Sequence, residues 1–316
     1  MADIVVLGVF NADTTYRAPR QPAMGETILG ESFALRPGGK GSNQAVAAAR
    51  AAGRSEGRVA MLTKLGDDAF ADLALATWAD EGIAPHAPRV PGGQTGAAYV
   101  FVEAGTGDNA IIVCPGAAAT ITTGDVDGWA DVIGAARVLV TQLEQPVDAA
   151  HRALRIARAA GVTTILNPAP AAALPLGMLA LCDVVTPNAT EAGALTGRAV
   201  ETPEGAEEAA AALCAAGAGA AILTLGATGA LVHDGDTAEL VPGMSAGPVV
   251  ETTGAGDAFT GGLAVALAEG RPLREAARFA TATAALSVTK AGTVPAMPAR
   301  PEIDALLCGA GARRCQ

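Results

Sequence analysis

Aromatic side chains make up only 3% of this 316-residue chain, so its core has to be assembled from alanine, valine, leucine and isoleucine rather than from large rings. Half of the residues are hydrophobic, enough for a sizeable interior in one large α/β domain or two ordinary ones. Cysteine is sparse too. Cys114, Cys182, Cys214, Cys308 and Cys315 are scattered, odd in number and free of any C-x-x-C pair, which excludes a disulfide framework and a zinc ribbon. Most are expected to be buried thiols, with Cys315 in the tail. His86, His151 and His233 lack metal-ligand spacing. No apolar stretch of membrane-spanning length escapes an interrupting charge, glycine cluster or proline, and the run 4–7 behind Asp3 is too short for a signal peptide. Positive charge is also scarce: 21 Lys+Arg against 32 Asp+Glu leave −11, which argues against nucleic acid or an anionic membrane as partner. The expectation is a cytoplasmic protein that acts on small molecules.

Against that background one stretch stands out: Val249-Val250-Glu251-Thr252-Thr253-Gly254-Ala255-Gly256-Asp257-Ala258-Phe259-Thr260-Gly261-Gly262. It reads as a short apolar strand end, a tight glycine turn and a helix that continues to Ala268. Glycines let backbone N–H groups approach a ligand with no side chain in between. The helix beyond leaves its first amides unpaired at the positive end of its dipole. The amides of Gly254, Ala255 and Gly256 therefore form a candidate anion hole. Asp257 follows in the first turn, where the dipole favours negative charge, and suits a general base that takes a proton from a hydroxyl as a phosphoryl group arrives. A plain helix start, with an acid complementing the dipole, fits the same residues.

Residues 4–7 form a continuous apolar run before Gly8, typical of a buried parallel strand. Asn11 and Asp13 then fall beyond its carboxyl end, where open α/β sheets place ligands; an Asx turn is the simpler alternative. Residues 14–36 lack helical periodicity, and 26–29 and 32–35 alternate like exposed strands. Pro37-Gly38-Gly39-Lys40-Gly41-Ser42-Asn43-Gln44 is no Walker A loop, because Gly41 stands where Ser or Thr is required. It reads as a glycine turn opening an alanine-rich helix, with Ser42 or Asn43 available as its cap and Lys40 and Asn43 able to bond a polyol. A hairpin is expected from 95–102 and 110–113.

Further along, helices at 125–133, 147–160, 177–181 and 203–216 alternate with strands at 136–141, 163–167, 183–186 and 220–224. That alternation specifies a mostly parallel central sheet with helices on both faces, an α/β class. A last helix covers 273–288. The G-x-S-x-G string at 243–247 is bracketed by Pro242 and Pro248, and all three histidines precede it, so it is no nucleophile elbow.

The stretch at 251–257 and the 38–50 string resemble, respectively, the D-T-x-G-A-G-D and G-G-K-G-x-N-Q-A-V-A-A-A-R motifs of the ribokinase (PfkB-type) family of carbohydrate and nucleoside kinases. The resemblance extends over nearly the whole chain. It implies a single ribokinase-like domain over 1–316 with a small β-sheet lid from segments 14–37 and 95–114, which would also make a homodimer contact. It implies ATP-dependent phosphorylation of a furanose, ribose at O5, with Asp257 as base and Gly254, Ala255 and Gly256 as anion hole. Alternative acceptors are 2-deoxyribose, fructose or adenosine, and a catalytically silent sugar-binding protein is the alternative outside enzymes. The implied sugar-binding residues are Asn11, Asp13, Gly39, Lys40, Asn43, Glu144 and Asp257. Nucleotide contacts would come from Asn188, Thr224, Gly226, Gly229, Gly256 and Thr281, with Glu191 of the N-x-x-E motif holding Mg²⁺ through water. An activating monovalent cation such as K⁺ is implied near Glu251, Thr253, Ser287, Lys290 and Gly292. Two departures bear on that cation: Glu251 replaces an aspartate, and Ala296 stands where a serine oxygen is expected.

Overall fold

The computed structural model describes residues 2–54 and 56–312. The chain enters as β1 (Ile4–Leu7), whose alternate residues face opposite sides and are buried on both. It then leaves this sheet for β2 (Asn11–Ala18) and β3 (Ser32–Gly38) before α1 (Lys40–Ala51) returns it to β4 (Val59–Leu62). After α2 (Ala69–Asp80) and the edge strand β5 (Ala84–His86), the hairpin β6 (Gly96–Glu103) and β7 (Asn109–Cys114) rejoins β2. The expected α/β alternation follows: α3 (Thr123–Gly128), α4 (Ala130–Gly134), β8 (Val138–Thr141), α5 (Val147–Ala159), β9 (Thr163–Leu166), β10 (Val184–Val185), α6 (Ala189–Thr196), α7 (Pro203–Ala215) and β11 (Ala221–Thr224). Strands β12 (Gly229–His233) and β13 (Ala238–Pro242) precede three closing helices, α8 (Ala255–Ala268), α9 (Leu273–Ser287) and α10 (Arg300–Ala312).

The strands sort into a nine-stranded sheet ordered β13-β12-β11-β10-β9-β8-β1-β4-β5 and a four-stranded sheet ordered β3-β2-β6-β7. The large sheet is parallel from β5 to β11, with β12 and β13 antiparallel at one edge. Strand order reverses at β1, which pairs with β4 on one side and β8 on the other. Crossovers leave such a switch point in opposite directions and open a crevice at the carboxyl ends of its strands. One hydrophobic cluster lies under α1, α2, α8, α9 and α10, and the other under α3 to α7. Because the interior is poor in rings, helices approach through small residues. A Cβ at Gly261 of α8 would fall 2.6 Å from the Ala47 Cβ of α1.

Several expectations need correction. Residues 26–29 form no strand: Glu26 is spent on Arg20 and the Ala23 amide, and Leu29 is exposed. The strand expected at 32–35 is present as β3, and its partner is β2, so Asn11 and Asp13 lie on an extended segment of the small sheet rather than in a loop. The helix expected at 177–181 is reduced to a 3₁₀ turn at Leu179–Leu181 behind Gly177 at φ +78°. The 125–133 helix breaks at Trp129 into α3 and α4. Val249 and Val250 are exposed coil, tied to the body by the Val250 N–H to the Val288 carbonyl at 2.8 Å. Of the thiols, Cys182 is buried, Cys214 half-buried, and Cys114 and Cys308 exposed; Cys315 lies outside the described residues. Among those residues no helix is long and apolar enough to cross a membrane.

Candidate functional site

The crevice beside β1 is closed by the start of α1. Gly39 caps this helix at φ +85°, and a Cβ there would lie 2.7 Å from the Asn11 amide nitrogen and the Val9 carbonyl. Gly41 meets Gly8 just as closely, 2.7 Å from its Cα. No side chain fits at either position, which brings α1 directly onto the end of β1. Neither Ser42 nor Asn43 caps the helix, contrary to expectation. Ser42 Oγ instead accepts from Trp78 Nε1 at 2.9 Å, and Asn43 Nδ2 donates to Asp257 Oδ2 at 3.0 Å. The acid at the helix start comes from 104 residues away: Glu144 Oε2 accepts the Lys40 backbone N–H at 2.8 Å.

Asp13 stands on β2 opposite Arg36, beside Gly38, where a Cβ would collide with its carboxylate at 2.0 Å. Burial, reinforced by the nearby Asp257 carboxylate, raises the Asp13 pKa to about 6. Glu144 is pushed further, to about 7, again chiefly by burial, with the Lys40 N–H and ammonium opposing the shift. Burial pulls Lys40 down, but the carboxylates of Asp257, Glu144 and Glu191 outweigh it and raise its pKa. A single ammonium therefore faces several acids. Asn11 Oδ1 and Asn43 Oδ1 are buried with no hydrogen-bond partner among the described residues. Native interiors rarely leave such acceptors unpaired, so both atoms favour a ligand that brings hydroxyl donors.

Asp257 is 6% exposed in the first turn of α8, whose N-cap Gly254 has φ +81°. A Cβ at Gly254 would sit 2.2 Å from Thr293 Cγ2. The Ala255 amide is bonded to the Thr252 carbonyl at 3.2 Å, which removes it from the expected hole. The Gly256 and Asp257 amides lie in the first turn, where the helix offers no acceptor. A cavity of about 140 Å³ joins this turn to Lys40, Asn188, Glu191 and Thr224 and is lined by Gly254, Gly256 and Asp257 as well. It also collects Asn167, Ala169 and Thr186, which sequence reasoning missed. Their position beyond the ends of β9 and β10 was the available signal.

Asn188 and Glu191 form a reciprocal cap on α6: Asn188 Oδ1 accepts from the Glu191 amide at 2.8 Å, and Glu191 Oε2 accepts from the Asn188 amide at 2.9 Å. Burial, with Asp257 adding and Lys40 opposing, raises the Glu191 pKa. Its other oxygen has no protein donor among the described residues, and Glu191 lines the cavity, which fits magnesium's preference for few carboxylates and many phosphate oxygens. The described residues hold no group of three or more His, Cys, Asp or Glu that would make an all-protein metal cage. A second cavity of about 460 Å³ shares Asn188 and Thr224 with the first and adds Gly226 and the apolar Leu225, Leu231 and Leu240. Gly229 and Thr281 line neither cavity, and the Thr281 hydroxyl donates to the Ala277 carbonyl at 2.9 Å.

Three of the side chains near the expected monovalent-cation site are engaged with protein partners. Glu251 Oε2 accepts from the Gly292 amide at 2.7 Å, Ser287 Oγ donates to Ala284, and Lys290 pairs with Glu302 at 2.9 Å. Thr253 is exposed, and the buried Ala296 lacks the side-chain oxygen a serine would bring.

The profile of the pfkB family of carbohydrate kinases matches residues 1–300. A ribokinase of Haemophilus influenzae is 37% identical over 300 residues, covering 95% of this chain and 96% of that one. A deoxyribokinase of Salmonella typhi is 34% identical over 307 residues, covering 96% and 98%. The structure of Arabidopsis thaliana ribokinase complexed with ribose and ATP superposes with a TM-score of 0.89 at 32% identity, covering 97% of this chain and 99% of that one.

Proposed function

Because this chain belongs to the pfkB family of carbohydrate kinases and is an ATP-dependent sugar kinase, we propose that it phosphorylates D-ribose at O5 to give ribose 5-phosphate. The observation that carries this reading is the carboxylate of Asp257: buried, held by two amide side chains, and lining one cavity with Lys40 and the N-terminus of α8. Asp257 takes the O5 proton as that oxygen attacks the γ-phosphorus in line. Asn11, Asp13, Lys40, Asn43 and Glu144 bind the remaining hydroxyls, and Gly39 lets the backbone approach them. Three acceptors in this set support a hydroxyl-rich sugar over a nucleoside: the raised acids Asp13 and Glu144, and the unpartnered Asn11 Oδ1. The Gly256 amide, the α8 dipole and Gly254's open turn stabilise charge on the transferring group. Asn188, Thr224 and Gly226, which line the two cavities, serve the nucleotide, and Gly229 and Thr281, which line neither, are assigned no contact. Glu191 holds Mg²⁺, whose chemistry when bound is neutralisation of phosphate charge. For a monovalent cation the support is thin, since Glu251 is committed to Gly292, and we assign it no step.

The small sheet acts as lid and dimer contact. Its register puts Tyr16 opposite Phe33, Thr14 opposite Leu35 and Tyr99 opposite Ile112, all on one face, while Asp13 and its neighbours Arg36 and Ala98 occupy the other. Tyr16, Phe33, Leu35 and Ile112 are exposed, an apolar face suited to a second copy of this chain. A cytoplasmic location supplies the ATP. A coupled ADP-release assay over ribose, 2-deoxyribose, fructose and adenosine, with and without K⁺, tests the reading. Ribose should give the highest kcat/KM. A preference for 2-deoxyribose or adenosine would reassign the substrate, and no turnover with any of them would favour a silent sugar-binding protein.

A further inference from the structure

We infer that Gln44, backed by Gln142, is a positioning residue that aims the Asp257 carboxylate; this rests on Asp257 being the base. Each Asp257 oxygen takes one amide donor, Oδ2 from Asn43 and Oδ1 from Gln44 Nε2 at 2.9 Å. The second N–H of the Gln44 amide goes to Asn167 Oδ1 at 3.1 Å, and Asn167 Nδ2 is itself anchored on the Thr186 carbonyl at 2.8 Å. A carboxylate in this setting only accepts, so Gln44 must present nitrogen to it and oxygen to the other side. There Gln142 Nε2 donates to Gln44 Oε1 at 2.5 Å. Orientation thus propagates outward from the carboxylate through two fully buried glutamines.

The backbone is shaped to admit this relay. Gln142 Oε1 occupies the space beside Gly8, where a Cβ would approach to 2.2 Å. Gly261 lets α8 descend onto α1, since a Cβ there would meet the Gln44 carbonyl at 2.7 Å. Gln142 Oε1 itself has no partner among the described residues, an uncompensated acceptor that packing alone does not require. The sugar has no access to Gln44, which is 0% exposed, so its effect on the reaction has to pass through Asp257. Asp13, Lys40, Glu144 and Glu191 also face Asp257 electrostatically, and they remain unchanged when Gln44 is altered.

The test is Gln44→Met, isosteric but unable to donate, alongside Gln142→Met and Asp257→Asn. Gln44→Met should lower kcat about 10- to 100-fold, part of the 10²–10⁴ a placed base supplies, with the sugar KM within about threefold of the parent. Gln142→Met should give the same pattern at roughly a tenth of the size and serves if Gln44→Met does not fold. An unmoved kcat in Gln44→Met, or a loss confined to Tm or KM, overturns the inference while Asp257→Asn remains inactive. Turnover by Asp257→Asn overturns the base assignment instead.

Discussion

The Lys40 backbone amide donates to Glu144 Oε2 at 2.8 Å across 104 residues of sequence. The first donor of α1 is thereby tied to the loop after β8, and a half-buried acid is placed near the carboxylates of Asp13 and Asp257. The contact satisfies an orphan helix donor yet holds the carboxyl where burial disfavours its charged form.

Glu144 should therefore give the protein a measurable pH signature. Its pKa is raised from 4.5 to about 7, so the folded chain keeps a proton that the unfolded chain has released. Stability consequently falls as pH rises across that window and the cost is complete above it. Glu144→Gln, which keeps the acceptor, should raise Tm by about 2–5 °C at pH 8 and much less at pH 4. The same change should raise the sugar KM at least tenfold. A Tm difference that does not depend on pH would show that the carboxyl titrates normally.

Replacing Asp257 by Asn should lower kcat about 10³-fold while sugar binding, read by calorimetry, stays within a few-fold of the parent. Asn preserves shape and one acceptor but cannot take the hydroxyl proton. Turnover within tenfold of the parent would remove Asp257 from the role of base.

Gly254→Ala should lose about 1–3 kcal/mol of stability, from the left-handed φ of +81° and from contact with Thr293 Cγ2. Because the disturbed turn carries the α8 amides, KM for ATP should rise more than KM for the sugar. Adding Thr293→Ser removes the obstructing methyl and should recover part of the loss. No recovery in the double variant would assign the defect to backbone conformation alone.

Phe33→Asp and Ile112→Lys place charge on the apolar face of the small sheet. Each should convert a dimer in analytical sedimentation into a monomer, with little change in Tm because both side chains are exposed. A parent protein that sediments as a monomer at micromolar concentration would refute the dimer contact.

Much of the fold was legible in the chain itself. The apolar run at 4–7, the regular helix–strand alternation beyond residue 120 and the glycine turns at 39 and 254 express local periodicity and backbone conformational freedom, which sequence encodes directly. Short or conditional elements were not legible. Residues 177–181 are too few to hold a helix without tertiary support. Strand β2 begins with Asn and Asp, residues whose propensity disfavours strands, and is held by pairing with β3 and β6.

By itself, then, the sequence determined the layered α/β architecture, the glycines where chain must meet chain, and an aspartate at the head of a helix. Only the tertiary structure decided what surrounds that aspartate. Asn43 and Gln44 reach it from more than 210 positions away, Asn167 and Thr186 arrive from neighbouring strands, and Ser42 turns aside to Trp78. Partners so distant in sequence are set by sheet order and by how closely two helices approach, and local spacing carries no record of either.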